Sequence, residues 1–295
     1  MSRPFWIFLF FTLVAAPALR AEPDVSDNAL FVQEVRREAR RALKRRDGLV
    51  LWIDRESGET ETFGNPALLH QPFLPGSILK LLTAELALRS GREWHYRCTG
   101  RDRLGGRRRY CWTRKGHGEM DLAKALGQSC NLYFSWLGMQ LGYPALRQAL
   151  ATEGFSGAAR LPEAPEQAKD VADLAIGDLP AFAATPEEVK AFWLRYLDKL
   201  DRPDFAPIRQ GLRRAVREGT AKRVGILDLE ILGKTGTGDA LRTAYKTNGW
   251  FLGAYPPARP RWALLVFLTE AHGFDEAAEL AEAIFRTAKE FKVFP

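Results

Sequence analysis

The chain changes its hydrophobic period partway along, and that switch limits what it can fold into more than any other feature of the sequence. From about Arg92 to Tyr196 strong alternation is missing, and apolar residues fall at helical spacing within Asp121–Leu141, Tyr143–Glu153 and Pro186–Leu197. The last third instead carries three short apolar runs, Glu230–Thr235, Gly249–Tyr255 and Trp262–Thr269, the last two separated by Pro256, Pro257 and Pro260. Runs of this kind read as strands. A fourth, Gly48–Asp54, is followed by the turn residues Ser57 and Gly58 and by Thr60–Phe63, the pattern of a β-hairpin. Ile78, Leu81, Leu82, Leu86 and Ala87 mark a helix over Gly76–Arg89, and Ala281, Ile284, Phe285 and Ala288 mark a closing helix from Asp275 to about Phe291. Strands at both ends with helices between them predict an α+β fold: an antiparallel β-sheet from the N-terminal hairpin and the three C-terminal strands, flanked by helices, with a mostly helical subdomain inserted over about 92–200. At 295 residues, 46% of them hydrophobic, the chain can fill one large domain or two intimately packed ones.

The N-terminus reads as a targeting segment. Arg3 precedes the apolar run Pro4–Ala16, and small residues follow at Ala18 and Ala21, so residues 1–21 are expected to be a secretory signal peptide cleaved after Ala21 or Ala18. The run falls short of the roughly 20 residues needed to cross a bilayer, which makes an uncleaved anchor the rival reading. Export would put the protein in a periplasmic or other extracytoplasmic space, remove ATP from the plausible ligands and permit disulfides. Removing Arg3 and Arg20 lowers the net charge from +7 to +5, a balance suited to anionic surfaces in a compartment without nucleic acid. Within residues 22–46, Phe31, Val35, Ala39 and Leu43 recur every four residues among basic ones, predicting an amphipathic helix over Asn28–Arg46. Its basic face is either a solvated side of a packed helix or a surface for membrane contact.

An odd number of cysteines, Cys98, Cys111 and Cys130, leaves one unpaired within a monomer. Cys98 and Cys111 flank a Gly105–Gly106 turn and could pin a hairpin as a disulfide. A zinc site using His95 and His117 is the alternative, disfavoured because the tight paired spacing of structural zinc modules is missing, so no metal is expected. Cys130 has no role that the sequence defines. The aromatics Trp94, Tyr110, Trp112, Trp136 and Trp193 read as core, and the arginines between Arg101 and Lys115 as a solvated loop.

Three short signals occur in order: Ser77-Ile78-Leu79-Lys80, Ser129-Cys130-Asn131 and Lys234-Thr235-Gly236-Thr237-Gly238. A serine and a lysine three residues apart on a helix share a face, so the amine can take the hydroxyl proton and make a nucleophile without histidine. That requires a neutral amine, which desolvation or a neighbouring cation such as Lys234 would favour. A helix-start serine and a snorkelling lysine are the ordinary meaning of such a pair in isolation. Gly233-Lys234-Thr235 is not a phosphate loop, since the preceding glycine is Gly225.

In this order the three motifs resemble those of the penicillin-binding proteins and serine β-lactamases, S-x-x-K, S-x-N and K-T-G. The likeness extends to Pro75-Gly76-Ser77, Gly116-His117-Gly118, Glu218–Ala221 and Gly249–Gly253, and it covers essentially residues 48–290 of the 47–295 domain. It implies Ser77 as acylated nucleophile, Lys80 as its base, Ser129 as proton shuttle and Asn131 as the group orienting Lys80 and the substrate amide. Lys234, Thr235 and Thr237 would bind the substrate carboxylate, Gly236 would admit close approach, and the N–H groups of Ser77 and Thr237 would form the oxyanion hole. The implied ligands are peptidoglycan stem peptides ending in D-Ala-D-Ala and β-lactams, the implied partners other cell-wall proteins, and no cofactor is needed. The short stretch ahead of the first strand suggests a transpeptidase domain exported without a glycosyltransferase or pedestal domain. The implied activity is D,D-transpeptidase, with D,D-carboxypeptidase, β-lactamase or β-lactam sensor, and non-enzymatic scaffold as alternatives. Glu163 and Glu166 lack the setting of the deacylating glutamate of class A β-lactamases.

Overall fold

A computed structural model describes residues 25–44, 46–240 and 246–294; the expected signal peptide lies outside them. At the centre is one antiparallel sheet of five strands, β1 (Gly48–Asp54), β2 (Thr60–Gly64), β7 (Leu232–Asp239), β8 (Thr247–Tyr255) and β9 (Trp262–Leu268), in the order β2-β1-β9-β8-β7. The first and last parts of the chain meet where β1 pairs along its whole length with β9, Leu51 opposite Leu265. Both strands are buried on both faces, so side chains alternate between two cores. Leu49, Leu51, Ile53, Leu265 and Phe267 face the helical subdomain. Val50, Trp52, Leu264, Val266 and Leu268 face α1 (Val25–Ala42) and α9 (Ala278–Glu290).

Helix α1 buries Phe31, Val35 and Ala39 on this outer core, with Phe31 edge-on to Trp52 at 5.2 Å. It ends before the predicted Arg46 because the chain turns into β1, where the Asp47 N–H donates to Thr269 Oγ1 at 3.1 Å. The predicted Gly76 helix divides into a 3₁₀ turn, Gly76–Leu79, and α2 (Lys80–Arg89), apolar nearly all round because it runs through the middle of the molecule. Around it lie α3 (Leu122–Gly127), α4 (Asn131–Leu141), α5 (Tyr143–Thr152), α6 (Ala168–Ile176), α7 (Pro186–Lys199) and α8 (Ala206–Arg217).

Two features depart from the sequence reading. The 92–120 stretch is not helical: it holds β3 (Tyr96–Cys98) paired with β6 (Gly118–Met120), and the hairpin of β4 (Arg101–Leu104) and β5 (Arg107–Tyr110) turning at Gly105–Gly106. The segment read as one helix over Asp121–Leu141 breaks at Ser129, whose φ of 48° is left-handed. Apolar spacing runs through the break unchanged, so periodicity alone does not show it.

Candidate active site

The break at Ser129 places the second motif. The Ser129 N–H donates to the Leu126 carbonyl at 3.1 Å and that of Cys130 to Ala125 at 3.0 Å, closing α3, while Cys130 Sγ accepts from the Tyr133 N–H at 3.4 Å and caps α4. A left-handed non-glycine residue is costly, and such residues gather at functional sites. The first motif is set by Gly76 (φ 51°), where a Cβ would lie 2.1 Å from the Thr237 carbonyl oxygen. Only glycine lets the Ser77 turn lie flat against β7. Gly236 makes the reciprocal approach: its absent Cβ would meet Ile78 Cγ1 at 2.7 Å and the Pro75 carbonyl at 2.9 Å. In the structure Gly236 thus packs against the Ser77 turn.

These contacts converge on a cavity of about 970 Å³ lined by Ser77, Ser129, Asn131, Asp178, Thr235 and Thr237. Ser77 is half-buried on its wall, while Lys80 and Lys234 lie fully buried behind it. Lys80 Nζ donates to Asn131 Oδ1 at 2.5 Å, the Ser129 carbonyl at 2.8 Å and Ser129 Oγ at 3.3 Å. Lys234 Nζ donates to Ser129 Oγ at 3.0 Å and to the Thr235 carbonyl at 2.6 Å. Ser129 Oγ therefore accepts from two amines, which leaves its own proton to give away. Thr235 is held by Thr220 Oγ1 at 2.6 Å, and Thr237 Oγ1 accepts from the Gly273 N–H at 3.0 Å.

Burial disfavours charge on both amines. It brings Lys80 down to about 8, against the opposing pull of Asp178 and the nearby cysteines, and it holds Lys234 well below the usual lysine range, with the Lys80 charge acting in the same direction. Burial thus favours a neutral amine at Lys80.

The sequence matches the penicillin binding protein transpeptidase domain over residues 45–193 and 201–288. The chain belongs to that family. Solved transpeptidases share its fold: Pseudomonas aeruginosa PBP2 is 18% identical with a TM-score of 0.72, over 86% of this chain and 74% of that one. Helicobacter pylori PBP2 is 18% identical with a TM-score of 0.72, and this chain, 88% of which aligns, spans only 63% of it. The transpeptidase domain of the Legionella pneumophila FtsI4 D,D-transpeptidase is 22% identical with a TM-score of 0.67, over 91% of this chain and all (100%) of that domain. No curated protein sequence matches.

In this transpeptidase domain the expected Cys98–Cys111 disulfide is not formed. All three cysteines are free and buried, and their sulfurs lie with a ring nitrogen of His117 within 4.8 Å of one another. Cys98 reaches the cluster because β3 pairs with β6, which brings it opposite Gly118; Cys111 follows β5 and Cys130 sits between Ser129 and Asn131. His95 stays outside, its side chain 68% exposed beside Glu93. The expectation of no metal overlooked this set, because its ligands come from four separated positions. A tetrahedral zinc with Zn–S near 2.3 Å and Zn–N near 2.0–2.1 Å implies about 3.8 Å between sulfurs and about 3.5 Å from sulfur to nitrogen. The structure has Cys111 Sγ 3.8 Å from Cys130 Sγ and 3.5 Å from His117 Nδ1. The four residues could therefore hold zinc directly behind the second motif. Sequence reading also passed over Asp178, for which a single sequence offers no signal, and Thr220, quoted only within a resembling stretch.

Proposed function

We propose that this domain is an acyl-serine D,D-transpeptidase that acts, after export, on D-Ala-D-Ala stem peptides of peptidoglycan, and that β-lactams acylate the same serine. What carries the reading is Ser129 Oγ, held between the Lys80 and Lys234 amines on the wall that presents Ser77. Ser77 Oγ attacks the penultimate D-Ala carbonyl as Lys80 takes its proton, and the N–H groups of Ser77 and Thr237 receive the oxyanion. Ser129 passes the proton to the leaving D-Ala nitrogen, and Asn131 keeps Lys80 aimed. Lys234, Thr235 and Thr237 hold the terminal carboxylate. Cell-wall proteins are the natural partners, as for the H. pylori PBP2 solved in complex with MreC. The Cys98, Cys111, His117 and Cys130 set is assigned a structural zinc ion that fixes the backbone between Ser129 and Asn131.

Intact mass spectrometry tests the central claim. Brief exposure to benzylpenicillin should add one drug mass to the wild type and none to Ser77→Ala. A folded wild type that takes up no drug at any quench time overturns it.

A further inference from the structure

One carboxylate in the cavity has no part in that scheme. Asp178 follows Gly177, the left-handed residue that ends α6, and its N–H donates to the Asp173 carbonyl at 2.9 Å. The Gly76 N–H donates to the Gly177 carbonyl at 3.2 Å, so the residue before the nucleophile is bonded to the residue before Asp178. The contact admits no side chain, since a Cβ on Gly177 would lie 2.1 Å from the Gly76 oxygen. Asp178 is thereby fixed beside Ser77, and its side chain opens to the cavity that Ser77, Asn131 and Thr237 also line. Among the described residues its carboxylate makes no hydrogen bond or ion pair, and the cations that attract it are Lys80 and, more weakly, Arg109.

We propose that Asp178 is the general base that directs water onto the Ser77 acyl group, so that the domain is a D,D-carboxypeptidase as well as an acyl-transfer enzyme; this rests on the acyl-serine reading above. Lys80 is engaged elsewhere, its amine donating to Asn131 and to Ser129. In the step proposed, a water oxygen bonds to the acyl carbon while Asp178 takes one of its protons. The tetrahedral carbon then expels Ser77 Oγ, and the proton held by Asp178 passes over the Lys80 amine to that oxygen. The product acid ionises into bulk water, leaving Ser77, Lys80 and Asp178 as they began. Two conditions suit a carboxylate to such work. Desolvation, with the Asp239 and Asp173 carboxylates adding to it, raises Asp178 above the usual carboxylate range against the pull of Lys80 and Arg109, and the negative end of α6 acts in the raising direction too. A carboxylate so raised is a stronger base than an ordinary aspartate.

The test compares the wild type with Asp178→Asn and Asp178→Glu, using benzylpenicillin and a D-Ala-D-Ala peptide, with acyl-enzyme followed by intact mass and D-Ala by release. The ratio of deacylation to acylation rate should fall at least about 100-fold in D178N, the usual scale of a lost general base, so that a peptide acyl-enzyme fleeting in the wild type accumulates. D178E should restore part of the ratio. If D178N slows both steps together, or its adduct decays as fast as the wild type's, Asp178 is only a counter-charge and the proposal fails. Should D178N not fold, the wild type alone decides: without any amine acceptor it must release D-Ala and yield the shortened acid, and a lasting acyl-enzyme overturns the inference. Loss of the acyl-serine reading itself looks different, because then the wild type forms no adduct at all.

Discussion

The residue scale is governed by two buried lysines that share one serine hydroxyl. Both amines resist charge, and a charged Lys234 would oppose protonation of Lys80 in turn. If Lys80 is the base proposed above, acylation needs it neutral, and the neutral fraction rises tenfold per pH unit below the pKa. The rate of β-lactam acylation should therefore climb with pH until about 8 and level off above it. Stopped-flow acylation across pH measures this, and a rate flat between pH 6 and 9 would remove Lys80 as the base. Gly76 makes a second prediction here. Alanine there must adopt a φ of 51° and place its Cβ 2.1 Å from the Thr237 oxygen. Gly76→Ala should cost more than about 1 kcal/mol and, by pushing the Ser77 turn off β7, slow acylation further than the stability loss explains. Equal acylation rates for G76A and wild type would show that the turn has room to shift.

Among the elements, legibility followed the clarity of the period. The hairpin and the three C-terminal strands are plain in the sequence because apolar runs bounded by turn residues have few other readings, and their ends shift by two residues or fewer except where β7 runs on through the third motif to Asp239. What sequence could not show was the interruption at Ser129 and the small strands β3 to β6, where three- and four-residue elements carry too little pattern and tertiary pairing decides. Both lie around the Cys/His cluster, in the part of the domain that local propensity leaves undetermined. Purified protein should hold one zinc per chain by elemental analysis. Chelation, or Cys98→Ser, should raise amide exchange over 96–130 and slow penicillin acylation, since Ser129 and Asn131 flank Cys130. Exchange in β1 and β9 should not change. Metal-free protein with full acylation and unaltered exchange would mean that the thiols only pack.

On the scale of the whole molecule, the sheet separates two cores with different duties. The inner core joins sheet to helical subdomain and holds the site, and two indoles cross its boundary: Trp193 Nε1–H donates to the Gly253 carbonyl and Trp250 Nε1–H to that of Leu74, each at 3.1 Å. The outer core, under α1 and α9, meets the cavity wall through the sheet and along the 215–227 segment, where Val216 packs on Gly225 and Arg223 pairs with Asp275 and Glu279. Phe285 stands at its centre, fully buried and 5.9 Å from the Trp52 ring and 6.3 Å from that of Phe294. Phe285→Ala leaves a void that neighbouring aromatics are too rigid to fill, which should cost about 3–5 kcal/mol. At about 2–4 °C per kcal/mol for a domain of this size, the melting temperature should drop by roughly 10 °C. Because the strands carrying the motif residues keep their inner-face packing, acylation at 25 °C should stay within about twofold of wild type, the range ordinarily left when distant sites act independently. Calorimetry and penicillin acylation on the same preparation decide between this and a sheet that transmits outer-core strain to Lys234. A loss of acylation well below the melting transition would show such coupling and make the two cores a single unit.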